Sequence, residues 1–216
     1  MVSDTYEKIL DAAERLMVSR GYNAFSYADI APEVGVGKAT IHHHFPTKAD
    51  LAAAVLARYR KNNRRHVEGL FTAVIDPVAR LEAYIGFWED CIRRQDMPFC
   101  IGALLASEIP SLPDAVVQQV RGHFADLSSW LGAVIEDGVA KGRLKAEQGT
   151  AVTAECLMAS VHGAMLAARV AGSDPAVFSA IARRAVDQLL TAATGDQSPA
   201  ESQAVPTVTA GGARGP

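Results

Sequence analysis

Apolar side chains return along this chain at helical intervals almost from its start. Tyr6, Ile9, Leu10, Ala13, Leu16 and Met17 stand at offsets 0, 3, 4, 7, 10 and 11, which puts them on one face of a helix. Asp4 and Glu7 resemble a capping box with Asp in place of Ser or Thr, and Gly21 supplies a stop. Ser26 and Asp29 then make a second cap, followed by a short amphipathic run through Tyr27, Ile30, Ala31 and Val34. Gly35 closes that run and Gly37 opens another, Lys38 to Phe45, which Pro46 ends; Thr47 caps a fourth helix from Lys48 to Arg65 or beyond. Two short helices joined by a tight glycine turn have the layout of a helix-turn-helix.

Past His66 the pattern predicts helices near 78–95, 99–107, 113–141, 147–171 and 175–193, with Pro77, Pro98, Pro110, Pro113 and Pro175 at the breaks. No Val/Ile/Thr run alternates at period two, so the fold class is all-α. We divide the chain into a helix-turn-helix head over 1–47, a helical body over 48–193, and a tail over 194–216. That tail is rich in Gly, Pro, Ser, Thr and Ala, a composition that predicts disorder.

Composition sharpens this picture at two points. Net charge is −3, yet residues 1–65 carry ten Lys/Arg against seven Asp/Glu, and seven of the ten lie between Lys38 and Arg65. A locally basic N-terminal segment on an acidic protein can hold a polyanion on one face. Cys91, Cys100 and Cys156 are few and widely spaced, lack the spacing of a zinc site, and suit a reducing cytoplasm better than a disulfide scaffold. No run of eighteen apolar residues suggests a membrane span, and the N-terminus does not read as a secretory signal.

The candidate chemistry sits at the glycine turn. Lys38 and Thr40 can donate to base edges, Ala39 can touch a thymine methyl, and His42 and His43 can read bases or phosphates. Tyr27 and Lys48 open the flanking helices, where phosphates are held well. Ile30, Ile41, Phe45 and Leu51 are left as the core of the head. The stretch Tyr27-Ala28-Asp29-Ile30-Ala31, continued by Gly35-Val36-Gly37-Lys38-Ala39-Thr40-Ile41-His42-His43-His44-Phe45-Pro46-Thr47-Lys48, resembles the TetR family of repressors. The close match spans roughly residues 5–60; beyond it, agreement is in helical layout and in fragments such as Gly138 to Leu144. The resemblance implies DNA contacts at Tyr27, Lys38, Ala39, Thr40, His42, His43 and Lys48. It also implies a homodimer joined through the helices at 147–171 and 175–193, a double-stranded DNA operator and a small-molecule inducer. Two departures stand out: His42 occupies a position where the family usually has tyrosine, and Pro32 falls inside the second helix, where a kink is expected.

Other chemistries fit less well. The GVGKAT run lacks the glycine spacing, the Ser/Thr after lysine and the preceding strand of a phosphate loop. His42, His43 and His44 point about 100° apart on a helix and do not converge on one metal. No nucleophile–base spacing supports an enzyme built on His123 or His162, and no cofactor or metal is expected. Phe87, Trp88, Cys91, Cys100, Leu104, Phe124, Trp130, Met158 and His162 are candidates to line an inducer pocket, with packing in the core as the competing role. Cys100 also admits a second reading, as the trigger of a thiol-based redox or electrophile switch, set against a buried, inert thiol. Arg58, Arg60, Lys61, Arg64 and Arg65 read as a solvated face and interdomain contact.

Overall fold

The computed structural model describes residues 4–95 and 99–191. Within them the chain forms α1 (Asp4–Arg20), α2 (Tyr27–Val34), α3 (Lys38–His44), α4 (Lys48–Ala73), α5 (Pro77–Arg94), α6 (Ile101–Ala106), α7 (Asp114–Ala140), α8 (Thr150–Val170) and α9 (Pro175–Asp187). A 3-10 turn, Ile109–Ser111, follows α6, and Leu144 and Leu190 form an isolated antiparallel bridge. The all-α expectation holds. The tail expected from residue 194 and the break at Pro98 lie outside the described residues.

Local chemistry sets the first four helices. Ser26 and Asp29 form a full capping box at α2, and Thr47 and Asp50 form another at α4, so donors at both helix starts are satisfied by side chains. Gly35 ends α2 in the left-handed conformation at φ 74. Pro32 lies within α2 without ending it. The carbonyl that loses its donor is that of Ala28, an exposed residue that water can serve. Ile30, Ile41, Phe45 and Leu51 are all buried, as expected of the head's core.

The body is built on α4, α5, α7, α8 and α9. Trp88 and Phe178 are among its largest fully buried side chains. Arg80 is buried too, with its guanidinium on Asp137 at 2.7 Å and on the Val74 carbonyl at 2.6 Å. Gly138 has no Cβ where Leu144 packs, since one there would lie 2.4 Å from the leucine Cδ1.

α8 is long and apolar enough to cross a membrane by length and composition alone. Its apolar residues divide between two sides. Leu157, Met158, Val161, Ala164 and Met165 are buried, whereas Val152, Cys156, Ala159, Gly163, Leu166 and Val170 are exposed. The exposed set advances in alternating steps of four and three, which makes one continuous stripe. Leu166 is 56% exposed and Val170 83%.

Head and body are fastened by charge as well as packing. Arg58 of α4 reaches Glu7, Asp11 and Glu14 of α1 at 2.9, 2.7 and 2.7 Å. Arg60 reaches Asp126 at 2.9 Å and Gln119 at 2.9 Å on α7. Of the basic cluster, Arg58 alone of these two reaches from α4 to α1, whereas Arg60 ties α4 to α7 within the body. Glu108, just beyond α6, accepts from the Tyr22 N–H at 3.2 and 3.1 Å and from the Asn23 amide at 3.1 Å. Gly21 makes that grip possible: its φ is +77, and a Cβ there would lie 2.2 Å from Glu108 Oε1. Gly21→Ala is therefore expected to lower stability by about 1–3 kcal/mol, through backbone strain and loss of the carboxylate's seat. Thermal denaturation measures this, and an unchanged melting temperature would show that the grip adds nothing.

Candidate nucleic-acid interface and effector cavity

α3 presents an almost fully exposed surface. Lys38, Ala39, Thr40, His42 and His43 are all exposed, and only Ile41 of the helix is buried. Gly37 precedes them in extended backbone at φ −75, with nothing within 4 Å of where a Cβ would stand. Its conformation is open to any residue, so its smallness matters only for what approaches from outside. Beside α3 lies an open concavity of about 310 Å³ lined by Ser26, Tyr27, Ala28, Lys38, His42 and Lys48. Four residues singled out in the sequence thus converge on one notch.

Three of those four also serve the head itself. The last carbonyls of a helix lack intrahelical donors, and the loops around α3 expose several such groups. Tyr27 donates its hydroxyl to the Phe45 carbonyl at 2.8 Å and is buried. Burial, with the Asp50 carboxylate and Tyr22 nearby, pushes its phenol up to about 12. A phosphate only accepts, so the Tyr27 hydroxyl can meet one only by leaving Phe45. Lys48 donates to the Phe25 carbonyl, with its ammonium 4.3 Å from the Phe25 ring centroid and 4.7 Å from that of Tyr22. Burial lowers its pKa against the opposing pull of Asp29 and Glu108, while its two further N–H donors remain available for phosphate.

His42 stands edge-on to Tyr27, with centroids 4.6 Å apart, and its Nδ1 is 3.3 Å from the Pro46 carbonyl. A carbonyl only accepts, so that contact has the proton on Nδ1. In the neutral ring Nε2 is then an acceptor, suited to an adenine or cytosine amino group. His44, half-buried, packs edge-on to Tyr6 at 6.0 Å; its role is in the core of the head.

The nine candidate pocket residues separate into groups. Phe87 and Trp88 line a cavity of about 220 Å³ with Glu14, Tyr59, Asn62, Asn63 and His66. Cys100, Phe124 and His162 gather around His123: the His123 and Phe124 rings are 5.7 Å apart, and those of Phe124 and His162 5.3 Å. Tyr59 joins the two groups, because it lines the cavity, lies tilted against His123 with ring centroids 5.2 Å apart, and donates its hydroxyl to Cys100 Sγ at 3.3 Å. Trp130 lies apart, packed against Tyr84 and Phe71. Cys91 and Met158 are buried core residues, and Leu104 packs half-buried against that core.

The sequence reading passed over Tyr59, Asn62, Asn63, His66 and Glu14. Asn62, Asn63 and His66 carry a faint signal, polar groups close together late in an amphipathic helix. Glu14 carries none, because nothing local places a head residue in a body cavity. Cys100 is 1% exposed and burial pushes its thiol up, the opposite of what an electrophile-sensing thiolate requires. Burial holds the His123 and His162 imidazoles down to about 4, so both are neutral at physiological pH.

Comparison with known proteins agrees with the geometry. Residues 9–55 match the family described as bacterial regulatory proteins, tetR family, and residues 77–186 match a tetracyclin repressor-like C-terminal domain. The fold is similar to the crystal structure of a TetR-family transcriptional regulator from Agrobacterium tumefaciens, with a TM-score of 0.84 and 48% identity. That similarity covers 87% of this chain and 98% of the other. An HTH-type regulator from the lacX 3′ region of Lactococcus lactis is 25% identical, over 77% of this chain and 84% of its own. The HTH-type transcriptional repressor BepR of Brucella suis is 24% identical, over 74% of this chain and 78% of its own.

Replacing Tyr27 by Phe removes the donor to Phe45 and nothing else. The expected result is a loss of about 1 kcal/mol in stability and no change in the salt dependence of DNA binding. A flattened salt slope in Tyr27→Phe would instead identify the hydroxyl as a phosphate ligand.

Proposed function

The chain belongs to the TetR family of bacterial transcriptional regulators, and from that premise we propose that it represses by occupying a near-palindromic operator as a dimer and is released by a small molecule. The observation that carries this reading is the exposed start of α3, Lys38, Ala39 and Thr40, beside the notch formed with Tyr27, His42 and Lys48. In the major groove, Lys38, Thr40 and His42 read base edges, Ala39 lies against a thymine methyl, and His43 meets a base or phosphate farther along. Lys48 holds a phosphate, and Tyr27 acts chiefly by holding α3 in place.

Residues up to 47 act as the head and those from 48 as the body, with the first turns of α4 serving both. The stripe Val152, Cys156, Ala159, Gly163, Leu166 and Val170 supports the dimer, since packing α8 and α9 of one protomer on those of another covers it. The two α3 helices then enter successive major grooves, roughly 34–36 Å apart. The cavity between Phe87, Trp88 and α4 is the inducer site. Glu14 reaches it from α1 while pairing with Arg58 at 2.7 Å, so a ligand that engages Glu14 competes with the fastening between head and body. Such a ligand favours the dimer whose heads no longer fit the operator, which requires different affinities for the two states.

Selection of bound sequences from random DNA tests the central claim. A palindromic motif with half-sites about one helical turn apart is expected, and recovery of none would overturn the reading. Lys38→Ala or Thr40→Ala is expected to relax preference at one half-site position by about 1–3 kcal/mol. Lys48→Ala is expected to weaken all sites alike and to lower the salt slope by about 1 per head. A change in preferred bases on Lys48→Ala would reverse the roles assigned here.

A further inference from the structure

Behind the inducer cavity lies a cluster that the regulator reading does not use. Cys100 Sγ is 3.3 Å from His123 Nε2, and ligand-capable atoms of Cys100, His123 and His162 all lie within 4.8 Å of one another. The three side chains come from the N-cap of α6, from α7 and from α8. Gly102 leaves room for the His123 ring: a Cβ there would stand 2.3 Å from its Cδ2 and 3.0 Å from its Nε2. Tyr59 and the Ala103 N–H both donate to Sγ, at 3.3 and 3.5 Å. His162 Nε2 is buried with no hydrogen-bond partner among the described residues. Buried polar groups of this kind are normally satisfied.

We propose that Cys100, His123 and His162 bind a single thiophilic metal ion, and that a monovalent ion, Cu(I), is the best match. Metal–sulfur and metal–imidazole bonds of about 2.3 and 2.0–2.1 Å hold S and N about 3.5 Å apart on one tetrahedral ion, close to the 3.3 Å between Cys100 and His123, while His162, within 4.8 Å of both, closes in as the ion binds. One sulfur and two imidazole nitrogens suit copper and zinc more than harder ions. Charge then decides between the two. As the ion binds, the Cys100 S–H bond breaks, the proton leaves to solvent and the sulfur takes the metal, with no change of oxidation state. A thiolate, two neutral imidazoles and a monovalent ion sum to zero, whereas a divalent ion leaves a positive charge where Cys100 and His123 are each 1% exposed. The Tyr59 and Ala103 donors to sulfur become the outer hydrogen bonds that orient a thiolate ligand. Tyr59 also separates the cluster from the cavity, so movement of its ring opens a path for the ion.

The consequence for DNA rests on the proposed function, but the site does not. Cys100 begins α6, and Glu108 just beyond its end grips the head at Tyr22 and Asn23. Closing Cys100 and His162 onto one ion draws on the same short helix.

The test uses the full chain, reduced and stripped with chelator, titrated anaerobically with Cu(I) against the competing ligand bicinchoninate. Zn(II) is titrated in parallel against a zinc indicator. One Cu(I) per chain is expected, with affinity falling at least about 100-fold in Cys100→Ser and His162→Gln and unchanged in Cys156→Ser and in His43→Ala/His44→Ala. Helicity by circular dichroism checks that the variants fold. Independently, Cu(I) is expected to raise the melting temperature of the wild type but not of Cys100→Ser. No uptake against the competitor, or uptake lost in Cys156→Ser or His43→Ala/His44→Ala instead, would overturn the site. Retention of Zn(II) in preference to Cu(I) would overturn the assignment to a monovalent ion. Selection of an operator by a chain that takes up no metal would leave the regulator reading standing without this one.

Discussion

A 26-residue helix is roughly 39 Å long and stiff, so α4 ties together whatever packs along it. Leu51, Ala52, Val55 and Leu56 at its start, where it packs on α1, and Tyr59 and Val67 farther along are all buried in one continuous core. No hinge separates the two sets. Arg58 and Arg60, on either side of Tyr59, face opposite partners, the acidic stripe of α1 and the Gln119–Asp126 side of α7. Single surface ion pairs contribute little. Here apolar burial supplies the adhesion, and the guanidinium groups fix the rotation of one element on another.

The second tie between head and body has a different character. Glu108 sits between a six-residue helix and a 3-10 turn, elements too short to be stable without their packing. Its carboxylate nevertheless accepts from two consecutive residues of the head. The head is thus held to the body by a long helix and, separately, by a short element. The cavity touches the long helix through Tyr59, Asn62, Asn63 and His66, and the Cys100 cluster touches the short one.

The head was legible because its signals are local. Ser26 with Asp29, Thr47 with Asp50, and Gly35 each act within one turn of chain, and the structure realises all three. The predicted contact residues likewise come from one continuous segment. The sequence did not reveal that Tyr27, His42 and Lys48 would satisfy the carbonyls of Phe45, Pro46 and Phe25, because a freed carbonyl leaves no mark in residue type. The body was legible as helices and opaque as a site. Nine apolar and aromatic candidates at helical spacing separate into a cavity wall, a cluster around His123 and plain core, according to how five helices pack. Nothing in their spacing along the chain links Cys100, His123 and His162, and only the packing of α6, α7 and α8 brings them within reach of one another.

The apolar stripe on α8 has a bearing on dosage. A protomer with Leu166 and Val170 uncovered is a poor end state in water, so the dimer proposed above makes assembly part of folding. While most chains are single, the amount of assembled regulator rises with the square of the amount of chain. A twofold change in synthesis then becomes nearly a fourfold change in occupied operator. A face made of valine, leucine, alanine and glycine would thus give a gene under this protein's control a threshold rather than a graded response.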